Sequence, residues 1–323
     1  MMLEAAYPLR CQPFFRDYLW GGRGLQTRLG KSIPENGIWA ESWELIDHPE
    51  HSSRILNGSL AGKTLGDVIA QDAAWLLGAN RTSLPLLLKY LDCQKVLSVQ
   101  VHPNDAYALK MTPPDLGKTE AWYIIDYQPG GVLYAGLKPG VGPAELMEAT
   151  ANGTVHQCLH EIHPQAGDCI FIPAGTVHAL GAGLLVAEIQ QASNTTFRLF
   201  DWNRVGADGK SRELHVPQSI EVTDYQSGPR PVQVPQPTSQ PGRMRLVSCD
   251  KFCFDRISEV DSIAVGGDGR FHFVTTPTGG VTIEGEGFSE HLKVGESLLL
   301  PASLASCQAK LTADAEMLDM FVE

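Results

Sequence analysis

Three side chains that could bind a metal ion or a substrate alternate with two apolar ones in the segment SVQVHP. Ser98, Gln100 and His102 alternate with Val99 and Val101. Alternate residues of a β-strand share one face, so the hydroxyl, amide and imidazole would lie together while the valines pack on the other side. The pattern predicts a strand that presents three polar groups to one site.

A second short pattern supplies a carboxylate. Lys118 and Glu120 alternate across Thr119 in the segment GKTEAWY, which predicts the start of another strand. If the two strands meet, Gln100, His102 and Glu120 converge. Three nitrogen and oxygen ligands on rigid strands suit an open site for a divalent ion.

The candidate for a fourth ligand is His178. It follows Gly167, Pro173 and Gly175 at the spacing G-x5-P-x-G-x2-H, which is the spacing of the second cupin motif. A turn, a strand and a proline-containing turn would bring this histidine to the metal. A lone histidine after a turn is more often structural, but this one accompanies three other candidate ligands. We therefore predict one metal site.

The elements that must position these groups are short strands separated by turns. Apolar runs over 169–172, 184–189 and 195–200 are typical of a β-sandwich or barrel. Residues 64–77 predict a helix with Thr64 as its N-cap, and residues 143–150 predict a second short helix. The predicted fold is mainly β, with two cupin-type jelly-roll domains and a few short helices.

A proline-rich stretch suggests where the chain divides. Residues 226–243, QSGPRPVQVPQPTSQPGR, contain five prolines among glycine and polar residues, which is typical of an extended linker. We predict a catalytic, metal-binding cupin domain with helical insertions over 1–225. A small C-terminal β domain without metal ligands is predicted over 244–323.

A weak internal repeat supports two similar domains. The segment GDCIFIPAG at 167–175 resembles GESLLLPAS at 295–303, since both run from glycine and an acid through an apolar strand to Pro-Ala and a small residue. The first copy continues to His178, whereas the second continues Leu304-Ala305-Ser306 without a histidine. His272, between two phenylalanines, is expected on a strand face. Chance recurrence of this turn–strand–turn pattern stays open as an alternative.

Composition excludes several classes of function. Hydrophobic residues are 43% and charged residues 19%, an ordinary globular balance, and no run of 18 apolar residues occurs. The N-terminus lacks the pattern of a signal peptide. A net charge of -12 argues against a nucleic-acid or anionic-membrane partner. Seven cysteines without paired spacing predict reduced thiols in a cytoplasmic protein. The chain is expected to be a monomer or a homodimer.

Several segments together carry a family resemblance. SVQVHP, GKTEAWY and IPAGTVHALG are followed in order by EIQQASN at 188–194 and RLFDW at 198–202. Over residues 10–225 this sequence resembles the type I phosphomannose isomerase family in its short bacterial form, while the C-terminal domain matches only in being β. The resemblance implies interconversion of mannose 6-phosphate and fructose 6-phosphate with one divalent ion, zinc being expected.

The resemblance also implies roles for residues at matching positions. The zinc ligands of the family match Gln100, His102, Glu120 and His178, and its active-site arginine matches Arg198. Residues that line its substrate pocket match Ser98, Lys118, Glu188 and Asp201. We thus expect catalytic roles for Arg198, Lys118 and Glu188, and substrate-binding roles for Ser98, Lys118 and Asp201.

The chemistry agrees with these residue types. Aldose–ketose exchange moves a proton between C1 and C2 through an enediolate, whose charge a metal can stabilise. Arg198 and Lys118 could hold phosphate or an oxyanion. The alternatives are an ion pair between Arg198 and Asp201, and a solvated Lys118. The proton-transfer base stays open among Glu188, Lys118, Asp201 and an imidazole.

Two basic residues lie near the expected exit of the pocket. Lys210 and Arg212 could add to phosphate binding, although surface charges are the preferred interpretation. Two departures from the long family members also stand out. Leu19 replaces an acid, and the 58 positions between Glu120 and His178 leave no room for their helical domain.

Other functions remain to be separated from the isomerase. A non-catalytic sugar-binding cupin would need neither a complete ligand set nor Arg198. An isomerase of an unphosphorylated aldose would use the same scaffold and would not depend on phosphate.

Overall fold

The computed structural model describes residue 3, residues 5–206 and residues 209–323. In the first 200 residues the strands are β1 (Phe14–Arg16), β2 (Glu41–Leu45), β3 (Asp47–His48), β4 (His51–Ser52), β5 (Leu86–Cys93), β6 (Val99–Val101), β7 (Glu120–Tyr127), β8 (Leu133–Leu137), β9 (Leu159–Ile162), β10 (Cys169–Ile172), β11 (His178–Leu180), β12 (Leu184–Gln191) and β13 (Phe197–Phe200). They form a six-stranded sheet in the order β1-β2-β5-β12-β7-β10 and a five-stranded sheet in the order β13-β6-β11-β8-β9, with β3 and β4 as a separate hairpin.

The remaining strands form two further sheets. They are β14 (Gln236–Pro237), β15 (Arg243–Ser248), β16 (Cys253–Ile257), β17 (Ser262–Val265), β18 (His272–Thr278), β19 (Val281–Gly285), β20 (Phe288–Leu292), β21 (Ser297–Leu300), β22 (Cys307–Leu311) and β23 (Glu316–Phe321). Their orders are β14-β15-β16-β23-β18-β21 and β17-β22-β19-β20. Strands β16 to β23 occupy, in the same chain order, the positions in these two sheets that β5 to β12 occupy in the first two sheets. The prediction of two jelly rolls is confirmed.

Five α-helices decorate the described strands: α1 (Gly24–Thr27), α2 (Leu65–Leu77), α3 (Asp105–Ala108), α4 (Pro143–Ala151) and α5 (Val216–Val222). The predicted cap of α2 is confirmed, because the Thr64 hydroxyl accepts from the backbone N–H of Asp67 while the Asp67 carboxylate accepts from that of Thr64. None of the described helices has the length and apolar character needed to cross a membrane.

The two six-stranded sheets pack face to face. Tyr90 of β5 and Tyr123 of β7 belong to the same apolar core as Phe254 of β16 and Met320 of β23. One face of the first sheet therefore contacts the second jelly roll, and the other lines the interior of the first. Because both faces are covered, all eight residues of β5 and all eight of β12 are buried. Such strands carry long apolar runs in which an inward polar residue is easy to overlook.

Segments outside the strands also join the two halves. Leu9 exchanges backbone hydrogen bonds with Leu299, at 2.8 and 2.9 Å, so an N-terminal segment pairs with the C-terminal jelly roll. In the proline-rich stretch, the N–H of Arg230 donates to Ala135 at 3.0 Å and that of Gln233 to Cys169 at 2.8 Å. Part of this stretch is thus hydrogen-bonded to the first jelly roll.

Candidate metal centre and substrate pocket

The predicted ligands converge inside the first jelly roll. One ligand atom from each of His102, Glu120 and His178 lies within 4.8 Å of the others, and all three residues are buried. Nε2 of His178 lies 3.3 Å from Oε1 of Glu120, and Nε2 of His102 lies 3.6 Å from Oε2. The Gln100 amide nitrogen lies 3.2 Å from Nε2 of His178. The structure therefore brings together all four predicted ligands.

Strand pairing and backbone carbonyls orient these side chains. His178 on β11 lies directly opposite Gln100 on β6, and Val99 and Val101 pack into the core as the alternation predicts. Nδ1 of His102 lies 3.0 Å from the carbonyl oxygen of Thr195, and Nδ1 of His178 lies 2.8 Å from that of Thr176. A proton on Nδ1 leaves the Nε2 lone pair free to bind a metal ion.

The electrostatics of the cluster favour a bound cation. Burial lowers the pKa of His178 to about 4 and that of His102 well below its usual value, so both imidazoles are neutral, which is the form that binds a metal ion. Burial raises the pKa of the Glu120 carboxyl to about 7. Neither Glu120 oxygen accepts a well-aligned hydrogen bond, although Nζ of Lys118 lies 2.8 Å from Oε2. Among the described residues, the Nε2 atoms of His102 and His178 have only Nζ of Lys118 and the amide nitrogen of Gln100 as polar neighbours besides Glu120, each at 3.2 Å. An orphaned carboxylate beside two imidazole Nε2 atoms fits a divalent cation. The role of these residues as ligands stays a prediction.

A cavity of about 270 Å³ opens beside the cluster. Five predicted site residues line it: Ser98, Gln100, Lys118, Glu188 and Arg198. Glu41, which the sequence left open between a solvated position and one facing a cavity, also lines the wall, whereas sequence reasoning missed Lys89 and Asn194. Lys89 ends an apolar run, and a lysine in a strand covered on both faces could have marked an inward polar position.

Two lysines and three glutamates alternate along one side of this cavity. Nζ of Lys118 lies 2.8 Å from Glu120 and 4.0 Å from Glu188, while Nζ of Lys89 lies 3.6 Å from Glu188 and 3.7 Å from Glu41. Burial would lower the pKa of Lys118, but the neighbouring carboxylates raise it. Burial would raise the pKa of Glu188, but the two lysines lower it. Lys118 is buried, so the alternative of a solvated charge is wrong.

The buried carboxylate of Glu188 has a fixed orientation. Nε1 of Trp122 donates to its Oε2 at 2.9 Å, which supplies the polar partner that a mid-strand acid needs. Its other oxygen, Oε1, is the one that faces the two lysines. Glu188 therefore keeps one oxygen toward the cavity.

Asp201 has partners that the sequence did not predict. Its carboxylate accepts from Nε of Arg212 at 2.8 Å and from Nη2 of Arg204. Arg198 instead donates from Nη1 to the backbone carbonyl of Glu213 at 2.8 Å. The alternative in which Arg198 and Asp201 form an ion pair is therefore wrong. A direct contact of Asp201 with substrate stays a prediction, in competition with two arginines.

Comparisons with known proteins extend the resemblance over the whole chain. Residues 8–120 match the family model for the catalytic domain of type I phosphomannose isomerase. The chain is 35% identical to the mannose-6-phosphate isomerase ManA of Bacillus subtilis, over 96% of this chain and 97% of that protein. It is 41% identical to the probable mannose-6-phosphate isomerase GmuF of the same organism, over 67% of this chain and 68% of that one.

A solved structure gives the same result for the fold. The crystal structure of the mannose 6-phosphate isomerase from Bacillus subtilis superposes with a TM-score of 0.88 at 30% identity, over 97% of this chain and 99% of that one. The similarity thus includes the C-terminal jelly roll, which corrects the expectation that it would end near residue 225.

Proposed function

Because the chain belongs to the type I phosphomannose isomerase family, we propose that it interconverts D-mannose 6-phosphate and D-fructose 6-phosphate. The observation that carries the proposal is the buried His102–Glu120–His178 cluster beside a charged cavity. A non-catalytic sugar-binding cupin would not need metal ligands next to a lysine and a glutamate that can exchange protons.

Gln100, His102, Glu120 and His178 would hold one divalent ion, and zinc is expected because nitrogen and oxygen donors at four positions suit it. Two neutral imidazoles, an amide and one carboxylate would leave the site with a net charge of about +1 for a divalent ion. When bound, the ion would supply electrostatic stabilisation to the oxygens of an enediolate.

We assign proton transfer between C1 and C2 to the pair formed by Lys118 and Glu188. Both line the cavity, and Nζ of Lys118 lies 4.0 Å from Oε1 of Glu188. The other candidates for the base are engaged elsewhere, because Asp201 binds two arginines and the imidazoles belong to the metal cluster. Geometry within reach of a sugar carbon is the first requirement for a general base. Arg198 and Ser98 on the same wall would bind the phosphate or an oxyanion of the sugar.

A coupled assay tests this function. The purified protein should convert mannose 6-phosphate to fructose 6-phosphate, lose that activity on exhaustive chelation, and regain it when zinc is added. Arg198→Ala should lower turnover while the bound metal and the melting temperature stay near those of the parent protein. Full activity without metal would contradict the proposal, and equal turnover of unphosphorylated mannose would favour the isomerase of a free aldose.

The remaining predictions concern the state of the protein. We propose a small phosphosugar as the substrate, a cytoplasmic location, and a monomer or homodimer, which light scattering can distinguish. We also propose the division into 1–225, 226–243 and 244–323. Since Arg230 and Gln233 are hydrogen-bonded, the first protease cuts in the proline-rich stretch should fall at Val234, which is 75% exposed.

A further inference from the structure

Asp201 is the centre of an arginine cluster, one member of which, Arg212, lines the substrate cavity. Arg212 donates to it through two atoms, from Nε to Oδ2 at 2.8 Å and from Nη2 to Oδ1 at 2.5 Å. Arg204 donates from Nη2 to the same Oδ1. Burial would raise the pKa of Asp201, but the hydrogen bonds from both arginines lower it. The Asp201 carboxylate is thus ionised, and both of its oxygens accept hydrogen bonds from arginine.

The two arginines differ in how many of their side-chain nitrogens donate to protein groups. Arg204 uses all three side-chain nitrogens, since Nε donates to the Asp201 carbonyl at 3.2 Å and Nη1 to that of Val96 at 2.6 Å. Arg212 uses only one edge of its guanidinium on Asp201. Within the described residues its Nη1 makes no hydrogen bond, and the side chain is 37% exposed and lines the cavity. Arg204 is therefore structural, whereas Arg212 presents donors to a ligand.

Arg198 and Arg212 line the same cavity. Burial and then the charge of Arg212 lower the pKa of Arg198, as expected for two cations on one cavity wall. Nε of Arg198 is buried and has no hydrogen-bond acceptor in the described part of the chain. Three arginines with one aspartate leave a local charge of about +2 in a protein whose net charge is -12. A phosphate monoester, which is close to dianionic, would offset this charge.

We propose that Arg212 is a specificity-determining residue that binds the phosphate of the sugar together with Arg198, and that Asp201 is the positioning residue that holds Arg212. This inference rests on the proposed function. An arginine held along one edge by a carboxylate keeps its planar fork pre-organised for a phosphate. Asp201 therefore acts through Arg212, in place of the direct substrate contact expected from the sequence.

Kinetics of Arg212→Ala test the proposal. Loss of a charge-assisted hydrogen bond to phosphate should raise KM for mannose 6-phosphate by about ten- to a hundredfold. The turnover number should change by less than about threefold, because Arg212 is neither a predicted metal ligand nor one of the groups assigned to proton transfer. Competitive inhibition by inorganic phosphate should weaken in parallel. Arg212→Lys, which keeps the charge without the fork, should recover part of the loss. An unchanged KM, or a loss confined to turnover, would overturn the proposal.

Two further variants separate binding from folding. Arg28→Ala removes an arginine that pairs with Asp126 on the surface, and it should leave KM and phosphate inhibition unchanged. Asp201→Asn should raise KM as Arg212→Ala does, and the double variant should be no worse than Arg212→Ala alone, since both act through one contact. Additive effects of the two substitutions would contradict a positioning role.

Failure of this inference can be distinguished from failure of the proposed function. If the parent protein does not turn over mannose 6-phosphate, the proposed function fails, and calorimetric binding of inorganic phosphate still tests Arg212. If the parent protein is active while Arg212→Ala binds inorganic phosphate as tightly as the parent, only the inference fails.

Discussion

The two jelly rolls place charged side chains at matching positions, and the strand pairings show this directly. In the first jelly roll β10 pairs with β7 so that Ile172 lies opposite Glu120. In the second, β21 pairs with β18 so that Leu300 lies opposite His272. The sequence repeat aligns Ile172 with Leu300, so His272 takes the position of the candidate metal ligand Glu120.

The neighbouring strands extend the match. Glu188 of β12 lies opposite Lys89 of β5, and Asp319 of β23 lies opposite Asp255 of β16 at the same positions. The interior of the second jelly roll therefore also carries charges. Its acids are joined by Arg243, which lies 3.0 Å from Asp255 and 2.7 Å from Asp319.

The difference lies in how these charges are paired. His272 sits 2.8 Å from one oxygen of Asp319 while Arg243 takes the other, so both oxygens of this acid are paired, although Nε of Arg243 has no acceptor among the described residues. We call these residues the closed network. In the first jelly roll the Glu120 oxygens accept no well-aligned hydrogen bond, and Lys89 lies more than 3.5 Å from both of its acids. Buried carboxylates are normally hydrogen-bonded within a protein, so the unsatisfied Glu120 marks the candidate functional site.

The largest expected contrast comes from removing one histidine from each jelly roll. His102→Ala should abolish bound metal and lower turnover by at least about 10²–10³-fold, because a ligand is lost. His272→Ala should keep one metal ion per chain and most of the turnover, while it lowers the melting temperature. Elemental analysis and the coupled assay measure both.

The number of metal ions bound per chain tests the same contrast between the two jelly rolls. Among the described residues one cluster of three histidine, cysteine or acidic side chains has metal-ligand spacing. The parent protein should therefore bind one zinc ion per chain. A reproducible second equivalent that His272→Ala removes would contradict the distinction between the two jelly rolls.

A matched pair of isosteric substitutions gives the next largest effect. Asp319→Asn removes an acid from the closed network and should lower the free energy of unfolding by about 3–5 kcal/mol, because Arg243 and His272 lose a buried partner. Turnover of the folded protein should be unchanged. Glu188→Gln, at the corresponding position, should lower turnover at least tenfold and change the free energy of unfolding by less than about 1 kcal/mol.

Denaturant unfolding and initial rates decide this comparison. Equal loss of stability from both variants would mean that the first jelly roll also depends on a closed network. Loss of activity in Asp319→Asn with unchanged stability would place the second jelly roll in the chemistry.

The smallest effect is a pH dependence of stability. Burial would lower the pKa of His272, but Asp319 and Asp268 raise it from 6.5 to about 9. A pKa raised on folding gives stability that is complete below pH 6.5 and disappears as the pH rises through about 9. The free energy of unfolding should fall by roughly 3 kcal/mol over this pH range. Unfolding in denaturant at several pH values measures it, and His272→Gln should remove this slope. A parent protein whose stability is flat from pH 6.5 to 9 would contradict the closed network.

Much of the metal site could be predicted from the sequence because its signals are local. The alternation of Gln100 and His102 assigns both to one face of β6, and the turn after β10 presents His178. The N-cap at Thr64 is local in the same sense. Backbone geometry alone determines which residues a few positions apart share a face. Their placement can therefore be predicted without knowledge of the rest of the fold.

Only the tertiary structure decided which charges meet. Lys89 reaches Glu188 because β5 and β12 pair across about a hundred residues, and Asp201 accepts from Arg212 in a part of the sequence with no periodicity. In strands covered on both faces the apolar pattern does not reveal the inward side, so Lys89 was missed. The closed network of the second jelly roll joins acids and bases from four strands. Their partnership depends on strand register, which long-range packing determines and local sequence does not.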